Sequence, residues 1–511
     1  MPCCKCHINR REFLELTAAG TAAVSLTGFS TLYANKKIED WDPNKPFLKI
    51  GKKLKVQPVL MYTVSVPKKQ RSYKSWGGIQ DDEAADREVI RITKGLQTLA
   101  KKSEFPLEIL PVVKVKTPEA AAKVHQGNFD VVIVYPARGG GELLRACFSK
   151  EKDTIIFARQ RSGPVYYWYE ALSVNYLQTQ NETNEQAAKA NKIVHVDDVV
   201  IDDMKELQWR LRALFGIKNF LGTKIVALGG PWGKYSPQAP KIATQKFGME
   251  IIDVSYDELA KRIQSAKANK KLKRKTKKWA EEYLAIPKTT LNTNKEFVEN
   301  CFLLYWIFRD MMTEHNADAF TIKDCMATVM PMSETTACLT LGLLNDEGYM
   351  AFCESDFVII PPGVLLRYIS GKPVFLHNST FPHNGEVTCA HCIGPRRMDG
   401  VNYEPAEIMT HYESEYGATP KVEMPIGQEL TFFDPEYSTG RWLGFKGRVI
   451  RNPFYEICRS QQDVEILGNW QKLKNEVRDS HWISVYGDYL KECGYAVRKL
   501  GLEWENISDV I

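Results

Sequence analysis

Hydrophobic and polar positions follow two alternating periods along residues 53–141, and this pattern predicts repeated strand–helix units. The runs KVQPVLMYTV and DVVIVYPARGGG are short and apolar, whereas DDEAADREVIRITKGLQTLAKK is helix-like. Strands that alternate with helices are typical of a parallel sheet. We therefore expect an α/β domain over residues 50–221 with a doubly wound, Rossmann-like sheet.

The same pattern starts again at residue 222, where TKIVALGGPWGKY places an apolar run before a glycine-rich loop. Ligands of such sheets bind beyond the carboxyl ends of the strands, so Trp232 and Lys234 are candidates for substrate contact. Turn formation alone explains the glycines of this loop equally well. A second Rossmann-like domain is predicted over residues 222–365.

The pattern changes again in residues 366–511, which form the third predicted domain. The runs KPVFLHNSTF, GEVTCAHCIG, QELTFFDPEY and RWLGFKGRVI are short β-type segments separated by Pro, Gly and Asn. This spacing is typical of a mainly β, barrel-like domain. The predicted fold class is thus α/β, with two doubly wound parallel-sheet domains followed by a β-rich domain.

The N-terminal segment has the features of an export signal. Arg10 and Arg11 precede a mildly apolar stretch, rich in Ala, Thr, Ser and Gly, that ends near Ala34. This arrangement resembles a twin-arginine signal peptide. We expect residues 1–34 to be removed during export to the periplasm by the twin-arginine machinery. An amphipathic anchor or an ordinary N-terminal helix is the alternative.

The length, charge and cysteine content of the chain argue against some classes of protein. The chain has 511 residues and a net charge of +6, which is too mild to indicate a nucleic-acid partner at this length. Its twelve cysteines are too sparse for a dense disulfide framework. The cluster CCKCH at positions 3–7 could hold zinc, but it lacks a second ligand pair.

Side chains that can bind metals crowd into residues 325–392, and His481 follows near the end of the chain. Several carboxylates with a histidine favour a hard divalent cation such as Mn²⁺ or Mg²⁺, whereas zinc prefers more nitrogen and sulfur. The pair in CAHC imitates a zinc knuckle, but no second CxxC is present. The crowded residues are Cys325, Glu334, Cys338, Asp346, Glu347, Cys353, Glu354, Asp356, His377, His383, Cys389, His391 and Cys392.

Two segments carry a resemblance to a known family. LGLLNDEGYMAFCESDF resembles the segment of the L-fucose isomerase and L-arabinose isomerase superfamily in which a strand delivers CExD to a metal ion. SHWISVYGDY, with the later LGLEW, is similar to the terminal strand of that superfamily, where a histidine completes the metal site. The resemblance covers the C-terminal part of the chain, and the first half matches by architecture alone.

The resemblance implies a site. Glu334, Asp356 and His481 would bind a divalent metal, Mn²⁺ first with Mg²⁺ or Zn²⁺ as alternatives, and the two carboxylates would also serve as the acid/base pair. Of Glu354 and Asp356, we expect Asp356 to face the metal. Glu354 and His391 are candidates for additional ligands or substrate contacts. Without the resemblance, an isolated histidine such as His481 on an apolar strand is more often a buried core residue than a ligand. Glu334 could instead be a carboxylate in the first turn of a helix.

The implied activity is aldose–ketose isomerisation of a small-molecule sugar through a metal-stabilised enediolate. The resemblance also implies a homo-oligomer, because family members complete the edge of the site from a neighbouring subunit. Two alternatives stay open: an epimerase or lyase that acts on a modified saccharide, and an exported sugar-binding protein without catalysis.

Overall fold

A computed structural model describes residues 38–508, except 75, 167–171, 174, 437–439 and 477. The chain divides into two compact units, of which the first comprises residues 52–218 and the second residues 38–51 with 219–508. The predicted signal peptide and the CCKCH cluster lie outside the described residues. Among the helices of the described part, none is long and apolar enough to cross a membrane.

Within its described residues, the first unit contains eight strands and five helices. Its strands are β1 Leu54–Met61, β2 Leu107–Ile109, β3 Val113–Val115, β4 Val131–Pro136, β5 Asp153–Ala158, β6 Leu177–Gln178, β7 Val194–His195 and β8 Val199–Ile201. Its helices are α1 Asp82–Lys102, α2 Pro118–Val124, α3 Gly141–Ala146, α4 Asn184–Lys189 and α5 Met204–Phe220, with a 3-10 turn at Val196–Asp198.

A parallel sheet forms the centre of the first unit, with the order β2-β1-β4-β5-β8 and with β3 also paired to β1. The apolar run of β4 is buried along its whole length, as expected for a strand covered on both faces. Helix α1 begins where the Asp81 side chain accepts a hydrogen bond from the backbone N–H of Ala84. Its buried positions Ile92, Leu96 and Leu99 recur at helical spacing.

The second unit begins with another parallel sheet. Its first strands are β9 Lys224–Leu228, β10 Glu250–Val254, β11 Thr289–Asn292, β12 Ala319–Ile322 and β13 Met350–Phe352, and the sheet order is β10-β9-β12-β13. The helices are α6 Ala239–Phe247, α7 Tyr256–Ala268, α8 Lys270–Leu284, α9 Lys295–Glu314, α10 Met330–Ser333, α11 Cys338–Glu347 and α12 Ile360–Ser370. A π-helical turn at Cys325–Val329 precedes α10.

A closed antiparallel barrel follows in the same unit. The remaining strands are β14 Phe375–Ser379, β15 Glu386–His391, β16 Ala406–Met409, β17 Thr419–Val422, β18 Glu429–Pro435, β19 Arg441–Arg451, β20 Ser460–Leu467, β21 His481–Tyr486 and β22 Glu503–Asn506. Six of them have the order β18-β21-β14-β15-β20-β19, and pairing of β18 with β19 closes the barrel. The last helices are α13 Trp470–Glu476 and α14 Leu490–Lys499.

The predicted mixed α/β class, with parallel sheets followed by a barrel, is confirmed. The parallel-sheet region and the barrel region of the second unit share a small sheet, in which β11 pairs with β16 and β16 pairs with β17. The barrel interior is apolar, and the rings of Phe432 and Phe445 stack there with centroids 4.6 Å apart. Both regions contribute residues to the site described next.

Candidate metal centre

A strained turn after β13 carries two carboxylates. The strand ends at Phe352, and Glu354 and Ser355 have φ angles of 61° and 48°, in the left-handed region that residues other than glycine rarely adopt. Asp356 then forms a parallel β-bridge with Trp232. Strained backbone of this kind is often found at functional sites, where the surrounding structure holds it in place.

The loop after β9 returns to this turn. Gly229 and Gly230 have φ angles of 81° and 87°, and a side chain at Gly229 would meet the Tyr256 hydroxyl at 2.1 Å. Further along the loop, the backbone N–H of Trp232 donates to the carbonyl of Ser355 at 3.2 Å. These contacts fix Lys234 beside the two carboxylates.

The barrel register brings two histidines together. Asn378 in β14 pairs with Ala390 in β15 on one side and with His481 in β21 on the other. His391 follows Ala390 at the end of β15, so its ring lies close to that of His481, with centroids 6.2 Å apart. Residues far apart in sequence therefore meet at one end of the barrel.

Asp356 orients His481. The Nδ1 atom of His481 lies 2.7 Å from Oδ2 of Asp356, and both side chains are fully buried. The other oxygen of Asp356 accepts the backbone N–H groups of Lys234 at 2.9 Å and Val358 at 3.2 Å. Because an ionised carboxylate can only accept, Nδ1 of His481 carries the proton, and Nε2 is the atom that faces the site.

Glu354 lies at the centre of the group. Its carboxylate is 3.5 Å from Nε2 of His481, 3.7 Å from Nε2 of His391 and 3.3 Å from Nζ of Lys234. The ligand-type atoms of Glu354, His391 and His481 all lie within 4.8 Å of one another. One carboxylate oxygen and two imidazole nitrogens in this arrangement could hold a divalent cation.

The charges in the centre stabilise one another. Burial raises the pKa of Glu354, but hydrogen bonds from His391 and His481 outweigh this effect and hold the pKa well below its usual range. Burial lowers the pKa of His481, but its hydrogen bonds with Asp356 and Glu354 are stronger and raise the pKa to about 9. A cation that binds to Nε2 must therefore displace a proton from this imidazole.

Five of the residues singled out in the sequence meet here: Lys234, Glu354, Asp356, His391 and His481. The expectation that Asp356 faces the metal in preference to Glu354 stays a prediction. The left-handed turn directs the Glu354 carboxylate at both histidines, whereas the oxygens of Asp356 are occupied by three N–H donors. In this arrangement Asp356 holds the ring of His481, and Glu354 lies beside both histidines.

Two other predicted site residues, Glu334 and Trp232, are not among the five that meet in this group. The Glu334 side chain is 59% exposed at the end of α10 and pairs with Lys267 at 3.0 Å, so its role as a ligand stays a prediction. Trp232 contacts the site through its backbone bridge to Asp356 and leaves its side chain partly exposed.

A second group of ligand-type atoms was missed. Cys338, Cys392 and His411 are all buried, with their ligand atoms within 4.8 Å of one another. The crowding of cysteines in the sequence was a signal for this group, but His411 lies outside the crowded segment. The CAHC pair is not a knuckle, because Cys389 packs in the barrel core, away from this group.

Comparisons with known proteins give little information. No protein-family model matches the chain, and no curated protein matches it. Among solved structures, it has a likeness to a conserved domain protein from Vibrio cholerae, with 13% identity over 55% of this chain and 77% of that one, at a TM-score of 0.16. A likeness of this size carries no argument about fold or function.

Proposed function

We propose that the chain is an exported, metal-dependent enzyme of the aldose–ketose isomerase type that acts on a small sugar. The observation that carries the proposal is the convergence of Glu354, His391 and His481, with Asp356 hydrogen-bonded behind His481. A carboxylate that orients a metal-binding histidine from behind is the usual outer partner in metal centres. The resemblance of the two C-terminal segments to the sugar isomerase superfamily agrees with this interpretation.

The donor set fits a divalent cation. One carboxylate and two imidazoles suit Mn²⁺ or Zn²⁺ better than Mg²⁺, which prefers oxygen ligands. The ammonium of Lys234 pairs with the Glu354 carboxylate at 3.3 Å, so this carboxylate already holds a positive charge in the centre. When bound, the cation would polarise neighbouring carbonyl and hydroxyl oxygens of an open-chain sugar.

Side chains of the centre can supply the base and the hydrogen-bond donor that isomerisation requires. Isomerisation moves a proton between adjacent carbons, so a carboxylate must lie beside the substrate. The Glu354 side chain is 35% exposed and can serve as this base, whereas Asp356 is fully buried and occupied. Lys234 can donate a hydrogen bond to a sugar oxygen. Glu334 remains the candidate second carboxylate on the strength of the resemblance.

Several finer expectations belong to the same proposal. The two parallel sheets are proposed to be doubly wound and Rossmann-like, and the active form is proposed to be a homo-oligomer. Twin-arginine export would place the enzyme in the periplasm with its metal already bound, because that route carries folded proteins.

Incubation with a panel of pentoses and hexoses in deuterated water tests the activity. We expect interconversion of an aldose and a ketose with deuterium at C1 or C2, lost on chelation and restored by Mn²⁺. Glu354→Gln should abolish the exchange. Glu465→Gln is the matched control, since that carboxylate pairs with Arg448 on the barrel at 3.4 Å, and it should retain full activity.

Other outcomes identify the alternatives. Sugar binding that is unaffected by chelation, without exchange of any carbon-bound hydrogen, would favour the binding-protein function. Metal-dependent exchange that yields an epimer or an unsaturated product would overturn isomerisation and support the epimerase or lyase. Full deuterium exchange in the Glu354→Gln variant would contradict the proposed metal centre.

A further inference from the structure

A cluster of free thiols lies next to the carboxylate centre. Cys338 begins α11 and Cys392 directly follows β15, and both are buried together with His411. The thiol of Cys392 interacts with the thiols of Cys338, Cys353 and Cys458. None of these four cysteines forms a disulfide within the described part of the chain. The thiols of Cys338 and Cys392 therefore lie in one buried group with the His411 ring, and Cys353 and Cys458 border this group.

His411 supplies an independent indication of a ligand. Its side chain is buried, and its Nδ1 atom has no hydrogen-bond partner among the described residues. A buried ring nitrogen without a partner is costly, and such atoms usually satisfy a bound ion or water. This histidine lies against Cys338 and Cys392, which provide the thiol groups of a metal site.

Cys458 is the candidate for the fourth donor. It precedes Arg459, whose Nε donates to the carbonyl of Thr410, the residue before His411, at 2.9 Å. Cys458 also interacts electrostatically with Cys338. The Arg459 guanidinium carries positive charge beside a group that becomes negative when its thiols lose their protons.

We propose that Cys338, Cys392, Cys458 and His411 bind a zinc ion, at a site separate from the Glu354 centre. Three thiolates and one imidazole are a donor set of closed, tetrahedral zinc sites, and soft sulfur ligands disfavour Mn²⁺ and Mg²⁺. Binding releases three protons from the thiols and involves no change of oxidation state. The site carries one net negative charge, which Arg459 offsets.

The position of this zinc site gives it a structural role beside the Glu354 centre. Cys353 is adjacent in sequence to Glu354, and Cys392 is adjacent to His391. In each pair the cysteine belongs to the thiol cluster and the other residue to the Glu354 centre. Nδ1 of His391 lies 3.5 Å from Sγ of Cys392. Zinc bound to Cys392 therefore fixes the end of β15 and the direction of the His391 ring, as an outer interaction of the carboxylate centre.

Cobalt substitution of the full chain tests the proposal. The metal-free protein is loaded with Co²⁺ without oxygen, and we expect an intense near-ultraviolet thiolate-to-cobalt charge-transfer band with tetrahedral visible bands. Cys392→Ser and His411→Ala should weaken Co²⁺ and Zn²⁺ binding more than about tenfold. Cys389→Ser and Cys493→Ser change buried cysteines outside the cluster and should keep the band.

The test separates this site from the Glu354 centre, which has no sulfur ligand. Glu354→Gln should keep the charge-transfer band even where it removes a second bound metal. Absence of the band in the wild-type chain, or its survival in Cys338→Ser and Cys392→Ser, would overturn the zinc site.

A measurement on the wild-type chain covers the case in which the variants fail to fold. Titration with a mercurial thiol reagent should release zinc in step with modification of Cys338, Cys392 and Cys458. Zinc that stays bound after these thiols react, or a disulfide between any two of them in the purified protein, would contradict the proposal.

Discussion

Asp356 and His481 form a fully buried hydrogen bond of 2.7 Å between Oδ2 and Nδ1. The carboxylate keeps the proton on Nδ1 and directs Nε2 towards Glu354 at 3.5 Å. In Asp356→Asn, an uncharged amide replaces the carboxylate and no longer holds the proton on Nδ1 by its charge. We therefore expect metal affinity to fall roughly 10- to 100-fold while the fold is retained. Calorimetric titration with Mn²⁺ measures the change.

Asp463→Asn is the control for that variant. Asp463 is also buried in the barrel, where it accepts hydrogen bonds from Thr388 at 2.6 Å and from Arg451 at 2.8 Å. Its replacement should lower stability without changing metal affinity. Equal affinities of the wild-type and Asp356→Asn proteins would show that Asp356 does not orient a ligand.

Lys234 and a bound cation compete for the same negative charge. Its Nζ lies 3.3 Å from Glu354 and 3.4 Å from Nε2 of His481. Removal of a like charge at this range changes the binding free energy by about 1 kcal/mol or more, so Lys234→Met should bind metal at least about fivefold more tightly. The KM for the sugar should rise, because a hydrogen-bond donor is lost.

Lys446→Met is the matched control, since Lys446 pairs with Asp488 at 3.1 Å elsewhere on the barrel. It should change neither metal affinity nor KM. A fall in metal affinity in Lys234→Met would mean that the lysine supports the ligands instead of competing with the cation.

The loop that carries Lys234 has no room for a side chain at Gly233. An added Cβ would lie 2.1 Å from the carbonyl oxygen of Ser236 and 2.8 Å from Cβ of Ala239. Gly233→Ala must therefore shift the loop, and we expect a loss of stability of about 1–3 kcal/mol together with weaker metal binding. Chemical denaturation and metal titration give both quantities.

Gly140→Ala is the comparison, because an added Cβ there meets no described atom within 4 Å. We expect stability and metal affinity close to those of the wild type. If Gly233→Ala behaved in the same way, the loop would be free to move without affecting the centre.

The sequence patterns predicted the architecture well because strand and helix periods are local properties. The apolar run of β4 and the helical spacing of α1 required no knowledge of distant residues. His481 emerged only from a resemblance, since an isolated histidine on an apolar strand carries no periodic signal. The direction of the Glu354 carboxylate could not be predicted, because two successive residues other than glycine adopt positive φ angles, which no alternation pattern predicts.

Long-range pairing produces the contacts that separate segments could not predict. His391 meets His481 because Asn378 pairs with both of their strands, and barrel register cannot be read from separate segments. His411 joins Cys338 and Cys392 across three different elements. Residue types alone could not select His411 as the partner of these two cysteines.

A buried carboxylate near the end of α11 gives the chain a pH-dependent stability. Oδ1 of Asp346 accepts the backbone N–H groups of Arg396 at 2.6 Å and Arg397 at 2.8 Å. Burial raises the pKa of Asp346 from 3.8 to about 6, although these hydrogen bonds and both guanidinium groups act in the opposite direction. The folded chain therefore holds a proton here more tightly than the unfolded chain does.

Because the folded pKa is the higher one, the contribution of Asp346 to stability is full below pH 3.8 and is lost as the pH rises to about 6. The loss amounts to at most about 3 kcal/mol. Asp346→Asn keeps an oxygen for both N–H groups but cannot ionise, so its free energy of unfolding should fall less than that of the wild type over this interval. Asp346→Ala leaves both N–H groups unpaired and should be less stable at every pH. Urea denaturation at several pH values measures all three proteins, and parallel curves for the wild type and Asp346→Asn would exclude Asp346 as the titrating group.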